Sequence, residues 1–170
     1  PICRTDEEVR TDLPGLCDLI LSHDRDILLR VDDSVVTLFE EEPYMIRRSR
    51  GYAPLPIYVN GDFHGTVLSA GGELKNTVCL AKDNLFYLSP HIGDVGCVRT
   101  ETAQHECAVR LRDLLEITPQ CGAADIHPAY ESSQLVKQAR IPVISVQHHY
   151  AHILSCMAEN GCSDEVIGIA

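Results

Sequence analysis

The 170-residue chain has no C-x-x-C pair, no broad field of Lys and Arg, and no apolar run near the roughly 20 residues that cross a bilayer. Each absence removes a class of function. Eight cysteines (Cys3, Cys17, Cys79, Cys97, Cys107, Cys121, Cys156, Cys162) without a C-x-x-C spacing do not make a zinc ribbon. Their scatter through apolar segments, with no secretion signal, favours reduced, buried thiols over disulfides. Lys and Arg total 14 against 25 Asp and Glu, a formal net charge of -11, and the one compact basic cluster is Arg47, Arg48 and Arg50. That balance argues against a nucleic-acid partner, because phosphate contacts need clustered cations. No membrane role is expected. The start of the chain, with Arg4, Asp6, Glu7, Glu8 and Arg10 and no apolar stretch behind them, is not a signal peptide, so a cytoplasmic location is expected.

Hydrophobic residues make up 45% of the chain, as in an ordinary globular protein. Asp12 to Ser22 has Leu13, Leu16, Leu19 and Ile20 at helical spacing, with Pro14 in the first turn. Strands are expected at Ile27 to Val31, Ser34 to Phe39 and Tyr44 to Arg48, with a turn at Asp32-Asp33 and a solvated acidic loop at Glu40 to Glu42. Gly51 to Asn60 holds Pro54 and Pro56 without periodicity and is expected to connect two domains.

Beyond it the pattern predicts strands at Thr66 to Ala70, Thr77 to Ala81 and Leu85 to Leu88, then a helix over Glu101 to Glu116. A strand (Ala123 to Ile126), helix (Glu131 to Arg140), strand (Pro142 to Val146), helix (His148 to Glu159) and final strand from Val166 come next. Asn160-Gly161 is the stop signal for the last helix. Such an order means an α/β chain with a mixed sheet and helices on its faces. It fits a ribonuclease-H-like fold.

The sharpest chemical signal is Gln147-His148-His149-Tyr150-Ala151-His152, where a strand ends and a helix begins. His148 and His152 stand four apart, so a helix puts both imidazoles on one face within reach of one divalent cation. A zinc protease would need Glu directly after the first His, where His149 stands. The same residues suit a helix start that caps or packs on a neighbour, and spacing alone leaves both readings open. It identifies neither a third ligand nor the metal.

Gly71-Gly72-Glu73-Leu74-Lys75-Asn76-Thr77 lets backbone approach a phosphate, with Lys75, Asn76 and Thr77 adding charge and hydrogen bonds. It lacks P-loop spacing, and locally a glycine hairpin with an exposed Lys is the better fit. Arg47 to Gly51 suits either an anionic group or a solvated cluster balancing Glu40 to Glu42. Asp32-Asp33-Ser34 suits a polar site edge or a turn. Asp125 to Tyr130 gathers an acid, a His and a Tyr in one loop, without a specific signature.

In order, these segments resemble a known family along nearly the whole chain. His23-Asp24-Arg25, Arg30 to Val36 and Arg47 to Tyr52 resemble the last part of the YrdC-like domain of HypF-type carbamoyltransferases. Gly72 to Thr77, Ser89 to Asp94, His127 to Tyr130 and Gln147 to His152 resemble the first part of that family's carbamoyl-transfer domain, which has the ribonuclease-H-like (ASKHA) fold. The resemblance implies a YrdC-like part over residues 1–52, a linker over 53–62 and a carbamoyl-transfer part over 63–170.

It further implies an ATP-dependent enzyme, using Mg2+, that makes carbamoyl-adenylate from carbamoyl phosphate. The group then passes to the C-terminal cysteine of HypE, for the cyanide ligands of nickel-iron hydrogenases. His148 and His152 would hold a divalent metal, iron or zinc. Lys75, Asn76 and Thr77 would line the transfer site, Gly71 and Gly72 would approach the nucleotide, and Asp32, Ser34, Arg48 and Arg50 would lie near the adenylate. Tyr150 replaces the third histidine common in the family, leaving the His148/His152 spacing intact. The resemblance also places the rest of both half-sites outside these 170 residues, so the isolated segment is expected to be nearly inactive, with exposed strand edges and apolar faces. The alternatives are a threonylcarbamoyl transferase acting on tRNA and a non-catalytic nucleotide- or metal-binding module.

Overall fold

Alternating apolar residues on Thr66–Ser69 (β4), Cys79–Lys82 (β5) and Cys121–Asp125 (β7) turn Leu68, Leu80 and Ala124 to one face, and that face builds the core. In a computed structural model that describes residues 2–170, these strands form the centre of a six-stranded sheet. The other strands are Pro56–Tyr58 (β3), Leu85–Leu88 (β6) and Val143–Val146 (β8), and the order is β3-β6-β5-β4-β7-β8. Pairing is antiparallel from β3 to β4 and parallel from β4 to β8. The fold is thus the mixed α/β arrangement expected.

Val98–Leu115 (α2) crosses from β6 to β7 and lays Ala103, Cys107, Ala108 and Leu111 on the core face. Its first turn is closed by the Thr100 hydroxyl, which accepts from the Gly96 and Cys97 amides at 3.2 and 3.3 Å. A 3-10 turn (Glu131–Ser133) and a short helix (Gln134–Gln138, α3) join β7 to β8 and bury Leu135 and Val136 in the same core. Gly122 lies flat beneath Val136, where a Cβ would come within 2.8 Å of that side chain. The last helix, His148–Glu159 (α4), leaves the end of β8 and buries none of its residues.

Several expectations change. No helix spans Asp12 to Ser22; α1 runs earlier, over Asp6–Asp12, where Thr5 and Glu8 form a capping box. Leu13 closes it, because Pro14 lacks the N–H that would carry the helix ladder on. Ile27 to Val31 forms no strand. Val35–Phe39 (β1) and Glu42–Arg47 (β2) make a separate hairpin. Glu40 and Glu41, both at positive φ, are its two-residue turn, so the acidic run is a tight reversal. Within the expected linker, Pro56–Tyr58 pairs with β6 as the sheet's edge. No strand forms after Val166.

All eight cysteines are unpaired, but Cys17, Cys97 and Cys156 are exposed rather than buried. Burial pushes the Cys79 thiol up to about 12 and that of Cys107 up to about 11, so both stay protonated. Leu19, Leu21, Leu38, Phe39, Ile144, Ile167 and Ile169 are exposed. Among the described residues no helix is long and apolar enough to cross a membrane.

An ion-pair network ties the first segment to α2. Arg30, with a side chain only 12% exposed, pairs with Glu8 and, at 3.1 Å, with Glu106; Arg4 reaches Glu106 at 3.4 Å. Arg99 pairs with Asp12. In urea unfolding, a cycle of Arg30→Met and Glu106→Gln should give a coupling of about 1 kcal/mol that shrinks at high salt, because both groups keep some solvent. Additivity within about 0.3 kcal/mol would show that the pair contributes nothing. Gly71, at φ +70 and with a Cβ position 2.3 Å from the Thr77 carbonyl oxygen, should lose about 1–3 kcal/mol on change to Ala. Gly96→Ala, which meets nothing within 4 Å, should stay within about 0.5 kcal/mol in the same assay.

Candidate metal and transfer site

The parallel strands β7 and β8 end side by side, and the residues just beyond them face each other. Asp125 closes β7 and His148 opens α4, and the His148 Nδ1 lies 2.6 Å from Asp125 Oδ2. The Asp125 side chain is 6% exposed and that of His148 43%, so a buried carboxylate orients a half-open ring. Burial raises the Asp125 carboxyl, but the His127 N–H at 2.8 Å and the His148 ring outweigh it and hold Asp125 below the usual range. An ionised Asp125 accepts a hydrogen bond from an N–H at His148 Nδ1, the tautomer that leaves a lone pair on Nε2.

One helical turn on, His152 Nε2 stands 3.1 Å from His148 Nε2. Two imidazole nitrogens that close fit one cation at about 2.0–2.1 Å from each, and the carboxylate behind His148 is the usual second support of such a ligand. The donor set therefore suits a divalent metal. Among the described residues no third His, Cys, Asp or Glu joins them. Tyr130 stacks on His127 at 4.3 Å and meets the His148 ring edge-on at 6.2 Å, which walls this side of the site.

The glycine loop lies against the same ring. A Cβ on Gly72 would sit 3.4 Å from His148 Cε1, in van der Waals contact, so the loop packs directly beside the ring. Lys75 is exposed at positive φ, and its amide donates to Asp94 at 2.8 Å. Thr77 is half-buried. Asn76 points inward: it is 1% exposed, and its amide nitrogen donates to the Ala70 carbonyl at 2.9 Å and to the Gly72 carbonyl. It braces the loop and does not line the cleft. The expected group of Gly71, Gly72, Lys75, Thr77, His148 and His152 is thus gathered at one end of the sheet, with Asn76 beneath it.

Asp32, Ser34, Arg48 and Arg50 form a second cluster at the base of the β1–β2 hairpin. Arg47 pairs with Asp32 at 2.7 Å, the Ser34 hydroxyl donates to the Arg50 carbonyl at 2.8 Å, and Arg48 donates to the Leu55 carbonyl at 2.8 Å. Arg50 meets Asp33 at 3.5 Å. These contacts knit the turn after β2, and none reaches the imidazole pair. His91 relates the two clusters: burial holds it below its usual range, the Arg47 and Lys75 cations add to that, and Asp32 and Asp94 oppose it. Both loops are therefore within electrostatic reach of one ring.

Four contributors escape sequence reasoning about the site. Asp125 and His91 lie in segments whose order is informative but whose roles are not. Glu73, whose carboxylate accepts from the Ser132 amide at 2.9 Å and the Glu131 amide at 3.3 Å, reads as an ordinary surface acid. Gln104 leaves a trace, a carboxamide on the apolar stripe of α2.

A family model described as the HypF Kae1-like domain matches residues 62–159. The carbamoyltransferase HypF of Synechocystis sp. is 44% identical over 170 residues, covering 99% of this chain and 22% of that protein. Carbamoyltransferase HypF2 of Cupriavidus necator is 41% identical over 177 residues, covering 100% of this chain and 22% of its own length. A crystal structure of full-length HypF in the phosphate- and nucleotide-bound form superposes with a TM-score of 0.90 at 40% identity, over 100% of this chain and 27% of that one. T. kodakarensis HypF gives 0.85 at 36% identity, over 94% and 21%. The chain spans about a fifth of the length of these two curated relatives. Family model, relatives and structures agree along the chain, which belongs to the HypF carbamoyltransferase family, with the match to that family's Kae1-like domain falling on residues 62–159.

Proposed function

We infer that this chain is the segment of an ATP-dependent carbamoyltransferase in which the end of a YrdC-like domain meets the start of a ribonuclease-H-like transfer domain. The proposed reaction takes carbamoyl phosphate, water and ATP to carbamoyl-adenylate, with release of phosphate and diphosphate. It then transfers the carbamoyl group to the C-terminal cysteine of a HypE-type partner, for the cyanide ligands of nickel-iron hydrogenases. The observation that carries the reading is the convergence of His148 and His152 on one point beside the glycine loop, 3.1 Å apart and backed by Asp125.

A divalent metal, iron or zinc, held there would neutralise phosphate charge and polarise the carbamoyl oxygen. The chain's own residues do the rest. Asp125 fixes the His148 tautomer, Gly71 and Gly72 keep the wall thin enough for a nucleotide phosphate to approach backbone, and Lys75 offers an exposed cation to it. The Asp32, Ser34, Arg48 and Arg50 cluster would stand on the adenylate side. The formal charge of -11 supports a small-molecule and protein route over a tRNA substrate.

In the protein that carries this chain, carbamoyl phosphate should trigger AMP release from ATP, read by chromatography of the nucleotides. Release that is indifferent to carbamoyl phosphate would overturn the assignment. His148→Ala with His152→Ala should abolish stoichiometric binding of Co2+ followed by visible absorption, and Asp125→Asn should weaken it by about 10–100-fold. Full retention of the ion by the double variant would instead mark a scaffold without this site.

A further inference from the structure

We propose that Gln104, in the core and touching no ligand, is a positioning residue that sets the spacing between the glycine loop and the loop carrying Asp125. The proposal rests on reading His148 and His152 as a cation-binding pair.

Gln104 is 2% exposed and occupies the buried face of α2 beside Ala103, Cys107 and Ala108. A carboxamide in such a place is costly unless its hydrogens are bonded, and a Leu would fill the helix stripe without that demand. Its amide nitrogen donates to the Ala70 carbonyl at 3.0 Å and to the Ser132 carbonyl at 3.2 Å, with Asn76 Oδ1 at the margin, 3.5 Å away. An NH2 group has two hydrogens, so the two shorter contacts use it fully.

Those two carbonyls are informative. Ala70 is the last residue before Gly71-Gly72, the backbone that lies against the His148 ring. Ser132 ends the loop that begins at Asp125, the carboxylate that orients the same ring. One side chain therefore spans the two walls of the cleft from below. Glu73 and Ser132 close the same gap from the loop side: the Glu73 carboxylate accepts from the Ser132 amide, and the Ser132 hydroxyl donates to the Gly71 carbonyl at 3.4 Å. If Gln104 is lost, Ala70 keeps its bond from Asn76, whereas the Ser132 carbonyl loses its donor from α2. The two walls then lose their tie from below and keep only the bonds from Glu73 and the Ser132 hydroxyl on the loop side, while the core stays filled.

Co2+ binding to the chain, followed by visible absorption and by titration calorimetry, tests this with a readout that lost stability alone does not move. Gln104→Leu, with Gln104→Met as the second variant should Leu fail to fold, is expected to weaken Co2+ binding by roughly tenfold and to alter its spectrum. Cys107→Ala, which thins the same helix face without touching either carbonyl, should lower the melting temperature yet leave affinity and spectrum as in the unaltered chain. Folded Gln104 variants that bind Co2+ like the unaltered chain would overturn the positioning role alone. An unaltered chain that binds no Co2+ at the histidine pair would overturn both this role and the reading beneath it.

Discussion

Two buried carboxamides, Asn76 and Gln104, converge on the carbonyl oxygen of Ala70, and the cleft depends on that convergence. A backbone that turns out of β4 through two glycines has polar groups that no strand partner satisfies, and leaving them bare in the core would cost a few kcal/mol each. Asn76 closes the turn on itself through Ala70 and Gly72, while Gln104 ties it to α2 and to the start of the α3 segment. With the Ala70, Gly71 and Gly72 carbonyls bonded inside, the loop turns at Gly71 with positive φ and sets Gly72 beside His148.

The sheet explains why the histidines meet that loop. Parallel pairing of β4, β7 and β8 brings three strand ends to one edge, and each strand leads there into a segment of the site: the glycine loop, the Asp125 loop and α4. The core lies on the face covered by α2 and α3, where Leu68, Leu80 and Ala124 pack. Helix α4 takes no part in that core, so the position of His148 rests on polar contacts to Asp125 and on the ring packing of Tyr130. A site supported by hydrogen bonds from a rigid edge holds two imidazoles in register without burying them.

Much of this is legible in the sequence. Strand β6 and helix α4 fall where periodicity puts them, because Asp83-Asn84 and Asn160-Gly161 are local signals that tertiary contacts had no reason to override. The His148/His152 pair is legible for the same reason, since a helical turn is a local geometry. Local rules also explain why α1 departs from the Leu spacing: the Thr5/Glu8 capping box and Pro14 both mark an earlier helix, and they outweigh the periodicity of a short apolar stripe. Pro56–Tyr58 misleads differently, because an edge strand with a proline reads as a linker until its partner is known.

From the sequence alone came the order of elements from β4 to α4, the mixed α/β class, the imidazole pair and the family that the motif order resembles. Tertiary structure decided that Asp125 orients His148, that Asn76 faces the core, and that Gln104 and Glu73 reach Ser132 across 28 and 59 residues of chain. Hydrogen bonds between distant segments depend on strand register and on which side of a sheet each helix covers. Those are properties of the folded whole, and no local spacing encodes them.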